Sequence, residues 1–198
     1  MKEDNASLIK WASEHAASLL SPLGNRWLHV QGVAERARCV GQAFNEDDYS
    51  YLLASAYLHD IGYAPSLKKI GFHPIDGACY LQAYGKKRLA SLVAHHSESL
   101  FEAQLRGHAQ ELDKFPREQS VVADALIYCD MTTGPTGLHI TFEDRIADIF
   151  HRYGDADIVS QALRQAIPSL SLAVKCIQHK LSERGLTCVA ASNSNAKP

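Results

Sequence analysis

The stretch YLLASAYLHDIG, residues 51–62, joins a strongly apolar run to two adjacent polar side chains. The run predicts a buried helix that Asp47 or Asp48 caps and that ends at His59-Asp60. Burying a histidine and a carboxylate together without a partner is costly, whereas a divalent cation would satisfy both. The pair therefore indicates a metal site, and imidazole with carboxylate ligands suits Fe, Mn, Co, Ni or Zn.

The rest of the chain also has the apolar spacing of helices. Leu8, Trp11 and Leu19 follow the helical period near the start of the chain. Alternating apolar and polar runs, which are typical of strands, are absent. We therefore predict one all-α domain, a helical bundle over residues 1–185, with a flexible polar tail over 186–198. The later predicted helices span about 74–84, 86–96, 98–112, 117–130, 143–153, 156–166 and 168–184.

Composition and charge argue against several classes of protein. The formal net charge is -2, so the chain lacks the basic stripe that marks nucleic-acid binding. No apolar run approaches the ~20 residues of a membrane-spanning helix, and the N-terminus lacks the pattern of a secretory signal. The five cysteines are scattered without a CxxC pair, which predicts a reduced, cytoplasmic protein without a disulfide framework. Four of them are predicted to be small core residues: Cys39, Cys79, Cys129 and Cys176.

Further potential metal ligands stand at the ends of predicted helices. His29 opens one helix, and Asp130 ends another. Between them, His73 follows a loop with glycine and proline, and the pair His95-His96 ends a further helix. Adjacent helical residues point about 100° apart, so one member of that pair faces away from the cluster. We expect the other side chains to converge, because buried polar groups need partners.

This order of residues resembles the HD superfamily of metal-dependent phosphohydrolases. Its motif is a histidine, then a His-Asp pair, then a distant aspartate, and the segment LHDIG is close to the form that many members show. The resemblance covers residues 29–130 and implies the HD-type helical bundle. It also implies one ion held by four side chains, which here are His29, His59, Asp60 and Asp130.

The resemblance also implies a second ion and a reaction. Members with two metals add one histidine after the His-Asp pair and another before the final aspartate, where His73 and His95 stand, with His96 as the alternative ligand. Asp60 would then bridge the ions. The implied reaction is cleavage of a phosphate ester or anhydride by a metal-activated water, with Asp60, His73 and His95 as catalytic residues. One or two divalent ions would bind, with Mg²⁺ as a further alternative.

The expected substrate is a small phosphorylated metabolite, such as a nucleotide. Lys68 and Lys69 in the loop after LHDIG, and Arg145 near the start of a later helix, are predicted to contact its phosphate. Two alternatives stay open: a dinuclear iron oxygenase, which uses the same ligand set in this superfamily, and a non-catalytic ligand-sensing domain. A homodimer that packs through the apolar C-terminal helix also stays open.

Overall fold

The computed structural model describes residues 4–188 and contains no strand within them, which confirms the predicted all-α fold. None of the helices in this part of the chain is both long and apolar enough to cross a membrane. The α-helices are α1 Asn5–Leu20, α2 Asn25–Val40, α3 Glu46–Leu58, α4 His73–Ala83, α5 Lys87–His95, α6 Leu100–Arg106, α7 Ala109–Leu112, α8 Val121–Met131, α9 Phe142–Tyr153 and α10 Ile158–Glu183.

Helix α3, formed by the apolar run of the sequence, lies at the centre of the bundle and packs against α1, α2 and α8. Its Leu52 and Leu58 are completely buried, and each such side chain contributes roughly 1.5–3 kcal/mol through burial. The predicted cap was wrong: the Asn45 side chain accepts the amide of Asp48, at 2.9 Å. Asp47 and Asp48 lie in the first turn instead, where their charge complements the helix dipole.

Helix α10 is one continuous helix, although the sequence predicted two helices that meet at Pro168. Proline removes one backbone hydrogen bond and usually kinks a helix. Here the apolar face is buried on both sides of it, by Leu163 before the proline and by Leu170 and Val174 after it. Packing against the core therefore outweighs the local effect of the proline.

The C-terminal end of the described chain is fastened to α2, because Cys188 forms a disulfide bond with Cys39. The prediction of a reduced chain without a disulfide was therefore wrong, although Cys39 does pack, partly buried, against the core. Leu186 packs partly buried against the core, although the sequence placed residue 186 in a frayed tail. Arg36 also donates a hydrogen bond to the Cys188 carbonyl oxygen, at 2.7 Å. The rest of the predicted tail, residues 189–198, lies outside the described residues.

Three cysteines are free thiols, and they differ in burial. Cys129 is buried in the core, as predicted, and Cys79 is half-buried. Cys176 is exposed on α10, so the prediction that it is a core residue was wrong. It lies outside the buried stripe of that helix, which contains its neighbours Val174 and Ile177.

We expect Cys39→Ser to lower the melting temperature under oxidising conditions by about 10 °C or more. The disulfide joins residues 149 positions apart, and closing so long a loop restricts the unfolded chain by roughly 5 kcal/mol in the chain-entropy description. Thermal unfolding followed by circular dichroism measures this. Cys176→Ser, at an exposed free thiol, is the control and should melt like the unmodified chain. Equal melting temperatures for Cys39→Ser and oxidised wild type would contradict the assignment.

Candidate metal centre

Six potential ligand side chains meet where several helices begin or end. A glycine in the motif makes this approach possible: a Cβ atom on Gly62 would lie 2.0 Å from the carbonyl oxygen of His73, so only glycine lets the two backbones touch. The turn after α3 therefore packs directly on the start of α4. The converging residues are His29 near the start of α2, His59 and Asp60 after α3, His73 at the start of α4, His96 directly after α5 and Asp130 near the end of α8.

The first group of ligand atoms comes from His29, His59 and Asp130, all of them buried. His29 Nε2 lies 3.0 Å from Asp130 Oδ1 and 4.0 Å from Asp60 Oδ2. His59 Nε2 lies 3.4 Å from the same Asp60 oxygen. Two ligands that share one ion at about 2.1 Å stand about 3 to 4 Å apart. These separations therefore fit a common cation.

The second group comes from Asp60, His73 and His96. Asp60 Oδ1 lies 3.4 Å from His73 Nε2 and 3.8 Å from His96 Nε2. The two imidazole Nε2 atoms are 3.3 Å apart. One oxygen of Asp60 thus faces the first group, and the other oxygen faces the second. This is the arrangement that a carboxylate bridging two ions requires.

Backbone carbonyl groups fix the orientation of three of the imidazole rings. Nδ1 of His29 lies 3.0 Å from the carbonyl oxygen of Gly134, Nδ1 of His59 lies 2.9 Å from that of Ala56, and Nδ1 of His96 is bonded to a carbonyl of α5. A ring that donates from Nδ1 presents the lone pair of Nε2 to the centre of the cluster. Metal-bound histidines are held in this way in proteins.

The hydrogen bond between His29 and the Gly134 carbonyl depends on a close approach of Gly32 and Gly137. A Cβ atom on Gly32 of α2 would lie 2.2 Å from the carbonyl oxygen of Gly137. The loop after α8 therefore packs directly on the α2 backbone and brings the Gly134 carbonyl within reach of the His29 ring. The glycines of this loop were visible in the sequence, but their role in orienting His29 was not.

One ligand atom of the donor set is buried without a hydrogen-bond partner among the described residues, as a cation site requires. His59 is completely buried, yet its Nε2 atom has no hydrogen-bond partner within residues 4–188. A buried nitrogen without a partner is costly. A ligand atom aimed at a cation would satisfy it, and nitrogen with carboxylate oxygen is a donor set of divalent transition metals. The residues present therefore fit such an ion.

Charges around Asp60 keep its carboxylate ionised. Burial alone would raise the pKa of Asp60, but the positive charge of Arg26, followed by that of His59, holds that pKa well below its usual range. Burial lowers the pKa of His73 and of His96. Both rings are therefore neutral near pH 7, which is the form that binds metals. For His59, burial also lowers the pKa, but nearby carboxylates outweigh it and raise the pKa.

Asp130 is held in the same ionised form. Burial would raise its pKa, but the close contact with His29 and the charges of His59 and Arg145 hold that pKa well below the usual range. The Ser97 hydroxyl donates a hydrogen bond to Asp130 Oδ2. Ser97 has a positive φ of 51°, and this uncommon backbone conformation directs its hydroxyl group to the cluster. The sequence contained no signal for Ser97.

Arg26 is a second residue that the sequence analysis missed. Its Nη1 atom donates to Asp60 Oδ2 at 2.5 Å, and its guanidinium group lies 4.0 Å from the centre of the Tyr63 ring. The ring of His73 stacks on Tyr63 with a centroid distance of 4.0 Å. Arg26 stands three residues before His29 in α2, a spacing that places both on one face of the helix. That spacing could have identified it.

His95 was wrongly predicted as a ligand, because the structure directs it away from the cluster. Its Nε2 atom donates to the carbonyl oxygen of Phe115, at 2.7 Å, whereas His96 Nε2 joins the second group. Helix α5 ends at His95, and the next residues turn sharply, with positive φ at Ser97 and Glu98. Because of this turn, His96 rather than His95 belongs to the second ligand group.

The predicted phosphate contacts differ in position. Lys68 and Arg145 line the cavity beside the metal centre, whereas Lys69 does not. The backbone amide of Lys69 instead donates to the buried carboxylate of Asp76, which also accepts the amides of Ile70 and Gly71. Asp76 therefore shapes the loop before α4 and makes no hydrogen bond to His73 in the described part of the chain.

A cavity of about 520 Å³ opens beside both ligand groups, a volume typical of small-molecule sites. His29, Asp60, His73, His96 and Asp130 all line it. Cationic side chains line it as well, namely Arg26, Lys68, Arg106, Arg145 and Arg152.

A helical bundle with a buried cluster of histidines and aspartates at its helix ends is an arrangement that could hold metal ions. A family model described as HD domain matches residues 26–153, which is more than half of the chain. The chain therefore belongs to the HD domain family, whose members are mostly metal-dependent hydrolases. Searches of curated proteins and of solved structures found no match.

Proposed function

We propose that this chain is a metal-dependent phosphohydrolase that cleaves a phosphate ester or anhydride of a small phosphorylated metabolite. The observation that carries the proposal is the position of Asp60. Its two oxygens face two separate groups of ligand atoms, and five of the six ligand residues line one cavity together with cationic side chains. Metal ligands next to phosphate-binding cations are the combination that phosphoryl chemistry requires.

His29, His59, Asp60 and Asp130 would hold one divalent ion, and Asp60, His73 and His96 would hold the second. When bound, such ions supply Lewis-acid activation of water and neutralise charge on a phosphoryl group. Fe, Mn, Co, Ni and Zn suit these ligands, with Mg²⁺ as a further alternative. The dinuclear site and the identity of the ions are parts of this proposal.

Arg145 is the side chain best placed to bind the phosphoryl oxygens. It is 7% exposed, and its Nη2 atom lies 3.6 Å from Asp130 Oδ1. Its Nε atom has no hydrogen-bond partner among the described residues, so a phosphoryl oxygen would satisfy it. Lys68, which is exposed at the cavity, would add a second cation.

In the overall reaction one water is consumed, the bond between phosphorus and the leaving oxygen breaks, and that oxygen takes up a proton.

Three accompanying expectations stay predictions. A nucleotide is one candidate substrate, and a homodimer is one candidate assembly. A cytoplasmic location is the third. The Cys39–Cys188 disulfide argues against it, because disulfides are rare in reducing compartments.

Removing divalent ions is expected to lower phosphatase activity by about three orders of magnitude or more, because Lewis-acid activation is worth several kcal/mol. The purified protein is analysed for metals, treated with a chelator and assayed on phosphomonoesters, nucleotides and dinucleotides. Adding back Mn²⁺, Co²⁺, Fe²⁺, Zn²⁺ or Mg²⁺ one at a time should restore activity with at least one ion. Full activity after verified metal removal would contradict the proposal.

The same assay separates the alternatives. Iron-dependent consumption of O2, without phosphate release from any substrate, would favour the dinuclear iron oxygenase. Tight binding of phosphorylated compounds without turnover would favour a ligand-sensing domain.

A further inference from the structure

The side of the cavity formed by α10 is entirely apolar. Every described residue that α10 contributes to the lining has an aliphatic side chain. The neighbouring helices α8 and α9 add Met131 and Ile149. None of these side chains can form a hydrogen bond with a ligand. The apolar side consists of Met131, Ile149, Val159, Ala162, Leu163, Ala166 and Leu170.

A nucleobase fits this side of the cavity poorly. Its ring nitrogens and carbonyl groups would lose their hydrogen bonds to water without replacement, which is costly. Stacking on an aromatic ring, the other common way to bind a base, needs a free aromatic face. Tyr63 has none, because Arg26 covers one face and His73 stacks on the other. Phe72 is only 2% exposed and lies beside the ring of His108. The exposed ring at the cavity is Tyr153, which Arg152 approaches at 5.4 Å and which does not belong to the apolar side.

A largely buried cation, Arg145, lies at the boundary between this apolar side and the metal centre. Arg145 projects from α9 and lies close to the metal ligand Asp130. Its Nη1 atom donates to Asp148 at 3.3 Å, but its buried Nε atom has no hydrogen-bond partner among the described residues, so this cation is incompletely paired where it lines the cavity. A ligand that satisfies both parts would therefore have a phosphate at one end and an aliphatic group at the other.

We infer that the substrate is a phosphate monoester of an aliphatic alcohol, with its hydrocarbon part against α10 and its phosphate at Arg145 and the metal centre. This inference rests on the proposed phosphohydrolase function. In the reaction, water adds to phosphorus, the bond from phosphorus to the alkyl oxygen breaks, and the alcohol leaves with a proton as phosphate is released. The cavity volume of about 520 Å³ limits the length of the hydrocarbon part.

Binding of alkylphosphonates tests the inference without turnover, since their carbon–phosphorus bond replaces the ester. Ethyl-, butyl-, hexyl- and octylphosphonate are titrated into metal-loaded protein by calorimetry. We expect affinity to rise about three- to fourfold for each buried methylene group until the cavity is full. The heat-capacity change should become more negative with chain length, as burial of apolar surface requires. Affinity that does not depend on chain length would overturn the inference.

A variant that fills the apolar side gives a second test. Ala166 is buried in the cavity lining, and Ala166→Leu should shift the best-binding chain toward shorter phosphonates by about three carbons, the number that leucine adds. Leu172→Ala is the matched control on the same helix, because Leu172 is 71% exposed and does not line the cavity. It should retain the chain-length profile of the wild type. If Ala166→Leu fails to fold, the wild-type series still decides.

Steady-state assays with hexyl phosphate and adenosine monophosphate separate this inference from the proposed function. Preference for hexyl phosphate supports both. Hydrolysis of adenosine monophosphate in preference to every alkyl phosphate would overturn the aliphatic substrate and leave the phosphohydrolase intact. Chain-length-dependent binding without hydrolysis of any phosphate ester would overturn the phosphohydrolase and leave the aliphatic phosphate as the ligand class.

Discussion

Asp60→Asn is expected to lose metal binding at both ligand groups and to reduce phosphate-ester hydrolysis by about three orders of magnitude or more. Within residues 4–188, Asp60 is the one residue whose two oxygens face both groups. The amide keeps the shape of the side chain but removes the negative charge, and several kcal/mol of Lewis-acid stabilisation corresponds to at least a thousandfold in rate. Elemental analysis and steady-state kinetics measure the two effects.

Glu118→Gln is the matched control for this substitution. Glu118 is also a partly buried carboxylate in an ion pair, with its Oε1 atom 2.9 Å from Nη2 of Arg88, but it does not line the cavity. We expect this variant to lose some stability and to retain its metal content and activity. Asp60→Asn that still binds two ions and hydrolyses substrate normally would refute the bridging role. Circular dichroism should show that both variants keep the helical fold.

His96→Ala and His95→Ala are expected to differ sharply, although they change neighbouring residues. His96 Nε2 lies 3.8 Å from Asp60 Oδ1, so its loss should remove an ion from the second group and lower activity at least about 100-fold. His95 instead bonds to the Phe115 carbonyl, so its loss should cost stability, about 1–3 kcal/mol, with little change in metal content.

Metal analysis, kinetics and denaturant unfolding of the two variants, measured side by side, separate these effects. Equal loss of metal in both variants would mean that the turn after α5 does not select between the histidines. A larger loss of metal in His95→Ala would reverse the assignment.

The helical class and the central position of the His-Asp pair could be predicted, because both depend on local patterns. The buried run of α3, residues 51–58, contains only apolar residues, one serine and two tyrosines. Two potential ligands follow it directly. The position of His73 could also be predicted, since it starts a helix at a proline. The sequence could not show that Gly62 brings the His73 backbone into contact with the motif.

The errors and omissions concern features that depend on tertiary structure. The choice between His95 and His96 depends on two residues with positive φ, neither of which is glycine, so residue type did not reveal the turn. The Cys39–Cys188 bond joins positions 149 apart, and an odd number of scattered cysteines contains no local signal for it. The continuity of α10 through Pro168 depends on burial of its apolar face.

The Cys39–Cys188 bond also makes residues 39–188 a covalently closed ring. The ring includes five of the six candidate ligands, and His29 lies on the arm outside it. If a protease cuts one peptide bond inside the ring, the two fragments stay joined and remain a single molecule of unchanged mass apart from one added water. The cut ends can then meet again without diffusing apart, so damage to a single surface loop need not separate the residues that form the metal centre.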